Sequence, residues 1–313
     1  MDSFLIDYKG ESFKLPVLLE WNFSYGRTLP CDAFEISFIY DKSMLTMLSN
    51  AVRFRAVHEG KTVFFGVVDD FEVSVSEYGC IVSVNGRGMA ALLLDNEAEA
   101  AQYYSASLDM VLDKYVYPWG ITQVKRNVNP PPQALVVDSG ASMWRVLEDF
   151  LWFGCGAKPR FSKDGVLILG KEPGGRLSMS GNIAASEQVL KRKRYGVISE
   201  VLVKNKALGT GSTVENTGFK NQGGCCRRVV NVPRKTRFDA MRSTGEYQIG
   251  QSKADEFMFS IVVSKIFAAF PGDIIEVSGS PLGLSGTFYV DRADCFANGD
   301  RAGTEIIMKV QEE

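Results

Sequence analysis

Apolar residues recur at every second position through most of the first 95 residues, and that period commits this part of the chain to half-buried β-strands rather than helices. In Phe34-Glu35-Ile36-Ser37-Phe38 the apolar side chains fall on one face and the polar ones on the other. Phe54 and Ala56 alternate with Arg53 and Arg55, and His58-Glu59-Gly60-Lys61 then supplies a turn. Val63-Phe64-Phe65-Gly66-Val67-Val68 is apolar on both faces, which predicts a strand deep in a closed sheet. Phe71, Val73 and Val75 alternate with Glu72, Ser74 and Ser76. A turn at Glu77-Tyr78-Gly79 leads to a further strand carrying Cys80, Val82 and Val84. Short linked strands of this kind predict an antiparallel barrel or sandwich.

The period changes near residue 96. Met89 to Ala101 is rich in Ala and Leu, and Ser105 to Val116 sets Leu108, Val111, Leu112 and Tyr115 on one helical stripe. Asn129-Pro130-Pro131-Pro132 is a stiff extended connection. A second helix is predicted from Ser142 to about Phe153, with Trp144, Leu147 and Leu151 inward, and then a hairpin from Phe161 to Leu169 turning at Lys163-Asp164-Gly165. Strand alternation returns after Ser178, in Val197–Val203, Val229–Val232 and Phe257–Val263. Gly209 to Gly224 reads as a mobile loop, and a short helix is read within Phe238 to Glu256, weakened by Gly245 and Gly250. The expected class is mainly β with a smaller α+β middle region, in three parts: 1–96, 97–176, and 177–313 with its loop at 209–224.

A faint internal repeat crosses this division. Residues 52–84 run strand, turn, Phe65-Gly66-Val67-Val68-Asp69, turn, strand; residues 274–310 repeat the order around Gly286-Thr287-Phe288-Tyr289-Val290-Asp291. Three-stranded meanders are common enough that chance competes with duplication as the explanation.

Catalytic machinery is hard to assemble from these residues. The only histidine, His58, sits in an apparent turn, so Ser-His-Asp, Cys-His and histidine-metal chemistry all lack their central group. Asp69, Asp70 and Glu72 are candidates for a glycosidase pair or a hard-cation site, but neighbouring carboxylates on a strand point to opposite faces, which favours a solvated edge. Gly86-Arg87-Gly88-Met89 superficially fits a dinucleotide turn, yet the strands before it alternate as an antiparallel sheet does, not as a buried parallel one. Cys31, Cys80, Cys155, Cys225, Cys226 and Cys295 are scattered without CxxC spacing, so free thiols in a reducing compartment are expected. Trp21, Trp119, Trp144 and Trp152 offer stacking surfaces for sugars, but Trp144 and Trp152 lie in an apolar helical pattern that favours core packing.

The formal charge of −2 gives no global basis for nucleic-acid or anionic-membrane binding, and no apolar run reaches a membrane-spanning length. The N-terminus lacks the pattern of a secretory signal. Lys191-Arg192-Lys193-Arg194, the densest positive cluster, is either a solvated surface or a contact to an acidic neighbouring subunit. The expectation is therefore a protein that is not an enzyme, with no catalytic, cofactor-binding or metal site and no cofactor.

The block from Phe54 to Asp95, with Phe65-Gly66-Val67-Val68-Asp69 and Gly86-Arg87 running into Leu92-Leu93-Leu94-Asp95, resembles the XkdQ-type phage tail proteins of the late control protein D group. The family pattern Gly-Arg-x-x-x-x-Leu-Leu-x-Asp is matched from Gly86 to Asp95. Tyr117-Pro118-Trp119-Gly120-Ile121, Ser139 to Trp144, Pro159-Arg160-Phe161 and Pro271-Gly272-Asp273 are similar to that family too, whereas the Gly-rich stretch and Cys225-Cys226 have no counterpart. The resemblance implies a baseplate hub in the virion or a tail-like particle, assembled in the bacterial cytoplasm. Each chain would supply two tail-tube-like antiparallel β-barrels, so that a homotrimer presents six barrels to a six-fold tube and three-fold symmetry to the spike. The implied partners are the tail tube protein, the spike protein and other baseplate proteins, with no membrane and no specific nucleic acid. A tail-associated cell-wall hydrolase and a receptor- or carbohydrate-binding module are the alternatives; with the chain ending at Glu313, no room is expected for an appended lysozyme or peptidase domain.

Overall fold

A computed structural model describes residues 1–27, 30–77, 79–180, 185–205, 209–232, 238–253 and 256–310. The N-terminal strands are β1 Asp2–Asp7, β2 Ser12–Lys14, β3 Glu20–Gly26, β4 Ala33–Ile39, β5 Ala51–His58, β6 Lys61–Ser76 and β7 Gly79–Gly88, with helix α1 at Leu45–Asn50. The middle region holds α2 Ala91–Leu94, β8 Ala101–Ala106, α3 Leu108–Tyr115, β9 Val124–Arg126, β10 Gln133–Val137, α4 Met143–Cys155, β11 Pro159–Phe161 and β12 Leu167–Leu169. The remainder holds β13 Arg176–Ser180, β14 Ala185–Arg192, β15 Glu200–Asn205, β16 Thr210–Glu215, α5 Thr217–Asn221, β17 Arg227–Asn231, α6 Phe238–Lys253, β18 Phe257–Val263, β19 Ile274–Ser278, β20 Gly286–Ala297 and β21 Ala302–Val310. The protein is mainly β and chiefly antiparallel, as its alternation requires.

The two ends of the chain share one sheet. Its order is β14-β18-β21-β20-β3-β4-β7-β6-β5-β1-β2, with β19 and β13 attached through β20. The join is β20 against β3, in register from Arg292↔Gly26 to Ala297↔Trp21. Phe23, Phe34, Phe54 and Phe64 from the first half and Phe259, Phe288, Ile306 and Met308 from the second fill one continuous core. Both halves, each expected to be a tail-tube-like antiparallel β unit, are mainly antiparallel, and the pairings among the described residues run through them as one sheet.

Strand β6 explains its own sequence. Val63 and Phe64 are buried in the sheet core, while Phe65 and Val67 pack against the core of the middle region. Both faces are apolar because a second layer covers the outer one. The turn into β6 also follows from sequence: Glu59 and Gly60 have φ of 49° and 75° between the paired His58 and Lys61, the left-handed geometry of a tight hairpin.

In the middle region Ser107 and Ser142 begin α3 and α4, their hydroxyls accepting from Met110 N and Arg145 N. The buried faces of these helices, with Val111, Leu112, Leu147, Phe150 and Leu151, form the second core. A third, small core of Ile198, Val201, Val203, Met241 and Ile249 lies in a module between β14 and β18, where α6 covers the sheet β16-β15-β17.

One expectation is corrected here, and the helix read within Phe238 to Glu256 is present as α6. The stretch 209–224 is not a loop, because β16 pairs with β15 along its whole length and Asn216 caps α5 by accepting from Phe219 N. Gly245 does not stop α6, since its missing side chain lets the helix approach the sheet: a Cβ there would lie 2.5 Å from Val214 Cγ2. The turn expected at Glu77-Tyr78-Gly79 includes Tyr78, which lies outside the described residues.

Candidate assembly surfaces

The Gly86–Asp95 motif is a joint between the sheet and the middle region. A Cβ on Gly86 would sit 2.0 Å from Val67 O and 2.4 Å from the Phe34 ring, and one on Gly66 would sit 2.2 Å from Arg87 O. These two glycines let β6 and β7 close beneath the core aromatics. Arg87 grips two carboxylates: Nε and Nη2 donate to Asp69 at 2.7 and 2.8 Å, and Nη1 and Nη2 donate to Asp95 at 2.9 and 2.7 Å. These charge-assisted bonds hold the guanidinium above its ordinary pKa and Asp95 below its own. Leu93 of the motif is fully buried in the middle core.

Beside this joint, burial pushes Asp32 up to about 7 even though its Oδ1 accepts from Gly26 N at 3.1 Å. Burial likewise pushes the neighbouring Cys31 thiol up to about 12, where it donates to Gly88 O.

The internal repeat has the same backbone irregularity in both copies. Strand β6 shifts register between Val68 and Asp70, and β20 shifts between Val290 and Arg292, so Asp69 and Asp291 are the bulged residues. Each pairs with a cation on the following strand: Asp69 with the half-exposed Arg87, and Asp291 with Lys309 at 2.8 Å, where both side chains are more than 90% buried. Asp69, Gly86 and Arg87 correspond to Asp291, Met308 and Lys309 at one constant offset of 222 residues. A chance pair of meanders has no reason to share both bulge and ion pair.

Two family-like segments that are distant in sequence meet in space. Arg160 Nη1 donates to Pro271 O at 3.3 Å, and Lys163 Nζ stands 3.6 Å from the centre of the Phe270 ring. Asp273 accepts from Gly175 N and Phe270 N, while a Cβ on Gly174 would lie 2.0 Å from Gly272 O. The β11–β12 hairpin is thereby clasped to the loop before β19.

Several surfaces lie open among the described residues. Strand β14 ends the sheet with one unpaired edge among the described residues, exposing Val189 and Leu190 beside Lys191 and Arg192. The β6–β7 arm runs past its neighbours to a tip where Val75 is 76% exposed. Tyr104, Val136 and Phe153 lie exposed on the middle region.

The candidate chemical residues are not brought together. His58 packs its ring 5.3 Å from that of Phe267. Asp69 is held by Arg87 and Asp70 accepts from Asn85, while Glu72 is exposed. An open cleft of about 310 Å³ includes Glu215, Glu246 and Lys253, but those carboxylates are paired with Lys220 and Arg242. Trp144 is buried as expected; Trp152 is not, and lies 38% exposed beside Tyr247 and Lys158 because it falls at the edge of the α4 stripe. Sequence reasoning missed the Arg87 double pair and the clasp. The Asp69…Arg87…Asp95 spacing was a signal for the first, but nothing local signals the second.

No family model matches the chain, and no curated protein matches it by sequence. Solved structures do match by fold. A tail protein from Neisseria meningitidis MC58 superposes with a TM-score of 0.78 at 18% identity over 99% of this chain and 96% of its own. The 43 kDa tail protein of prophage MuSo2 from Shewanella oneidensis gives 0.80 at 15%, over 99% and 98%. The E. coli c3393 protein, a component of the type VI secretion system described as similar to the T4 tail proteins gp27 and gp5, gives 0.58 at 10%, over 95% and 74%. The chain therefore has the fold of phage tail proteins. The particular fold it shares end to end is that of the two prophage and bacterial tail proteins.

Proposed function

We propose that this chain is a structural, non-catalytic baseplate hub subunit of a contractile phage tail or tail-like particle, acting as a homotrimer that joins the six-fold tail tube to the three-fold spike. The observation that carries the reading is the repeated, bulged meander inside a fold matched end to end by tail proteins. Two similar units per chain and three chains give six similar surfaces above and three-fold symmetry below. The likeness of c3393 to gp27 and gp5 supports the hub position over other tail positions. The unpaired β14 edge and the β6–β7 arm are the surfaces that tube, spike and other baseplate proteins would cover.

Native mass spectrometry and light scattering on the purified chain, alone and mixed with tube and spike proteins, test this. A species of three times 34.5 kDa that binds both partners is the expected result. A monomer at every concentration that binds neither overturns the reading.

A further inference from the structure

Charge is divided within this chain far more sharply than its near-neutral total shows. Residues 191–256 hold fourteen Lys and Arg against six Asp and Glu, a net +8; the rest holds twenty-one against thirty-one, a net −10. The basic share coincides with the small third module and the run leading into it. Lys191, Arg192, Lys193, Lys204 and Arg228 are all exposed, and none has a carboxylate partner among the described residues. Arg194 donates to Gln222 O at 2.6 Å, which ties the basic run to the segment entering β17.

The complementary surface lies on the solvent face of the sheet. Strand registers align Glu20, Ser37, Ser83 and Glu72 in one row and Asn22, Glu35, Asn85 and Asp70 in the next. Four exposed carboxylates thus stand on two adjacent rows that contain no cation, and none of the four is ion-paired. Each row is otherwise Ser and Asn, small polar groups that leave the carboxylates proud of the sheet.

We infer that the basic module of one copy docks on the acidic sheet face, β3-β4-β7-β6, of a second copy, and that this contact closes the trimer. The inference rests on the trimer reading above. The basic residues and the acidic rows lie on different parts of the chain, so the contact can repeat head to tail, and such a contact closes into a ring where the rotation between copies permits. Complementary charge of this kind sets register and association rate, and it is weakened by salt.

A charge-swap experiment on the full chain tests the contact. One variant carries Lys191→Glu, Arg192→Glu and Arg228→Glu; a second carries Glu20→Lys, Glu35→Lys and Glu72→Lys; a third carries all six. Trimer dissociation is followed by light scattering at 50 and 500 mM salt, with thermal melts to verify folding. The wild-type trimer loosens with salt, each triple variant weakens it roughly 100-fold, and the sixfold variant recovers to within about 10-fold. Triple variants that remain wild-type trimers would sink the contact while leaving the hub reading intact. So would a basic-module variant that loses binding to a labelled DNA duplex but not its trimer, since the module would then serve a polyanion. A wild-type chain that is monomeric under all conditions would remove the trimer reading itself.

Discussion

At the scale of single residues, the duplicated aspartates carry the same geometry at different cost. Asp69 faces water with Arg87, and Arg87 keeps Asp95 when Asp69 is lost. Asp69→Asn is therefore expected to cost under about 1 kcal/mol. Asp291→Asn removes the carboxylate from an ion pair whose two side chains are 9% and 8% exposed, and it is expected to cost more than Asp69→Asn because the pair is buried. Urea unfolding of the two variants checks this, and equal losses would mean that the second pair is solvated. Asp32 gives a pH signature. Its folded pKa of about 7 lies above the unfolded carboxylate value near ~3.9, so the folded state binds the extra proton between these limits. Its contribution to stability is therefore full below pH ~4, is lost as pH rises toward 7, and stays lost above it. Asp32→Asn, which keeps an acceptor for Gly26 N, should flatten that slope; urea midpoints at pH 4.5 and 7.5 that fall equally in both proteins would exclude Asp32 as its source.

At the scale of elements, legibility followed the range of the cause. The alternation in β4 and β7, the hairpin turn at Glu59-Gly60 and the apolar stripes of α3 and α4 depend on neighbours within a few residues, and all were readable. Strand β16 was not, because Thr210-Gly211-Ser212-Thr213 has little apolar alternation and is held by its full register with β15. The double-sided apolarity of β6 was visible, but its cause was not: the layer over Phe65 and Val67 comes from residues beyond 89. The site divides in the same way. The Gly86–Asp95 motif could be found from spacing alone, while the meeting of Arg160 with Pro271 spans 111 residues and leaves no periodic trace. Why Cys225 and Cys226 are adjacent has no structural explanation.

At the scale of the whole molecule, the distribution of core sets the order in which the fold opens. The sheet core joins residues from Leu5 to Met308, so the first and last strands protect one another through β3 and β20 despite their separation in sequence. Among the described residues, the module between β14 and β18 has seven buried apolar residues, five of them in one cluster, and two sheet edges. Local opening draws on the smallest set of buried contacts, so this module should open first and by itself. Amide hydrogen exchange resolves the order. Protected amides of β15 and α6 are expected to exchange at least ~100-fold faster than those of β4, β7 and β21, and the latter three should share one opening free energy. If β4 and β21 instead opened with clearly different free energies, the halves would be separate folding units and the β20–β3 join would be a contact between domains rather than a single core. A module that opens independently can also reorient without disturbing the sheet, which is what a segment reaching for the face of a second copy requires.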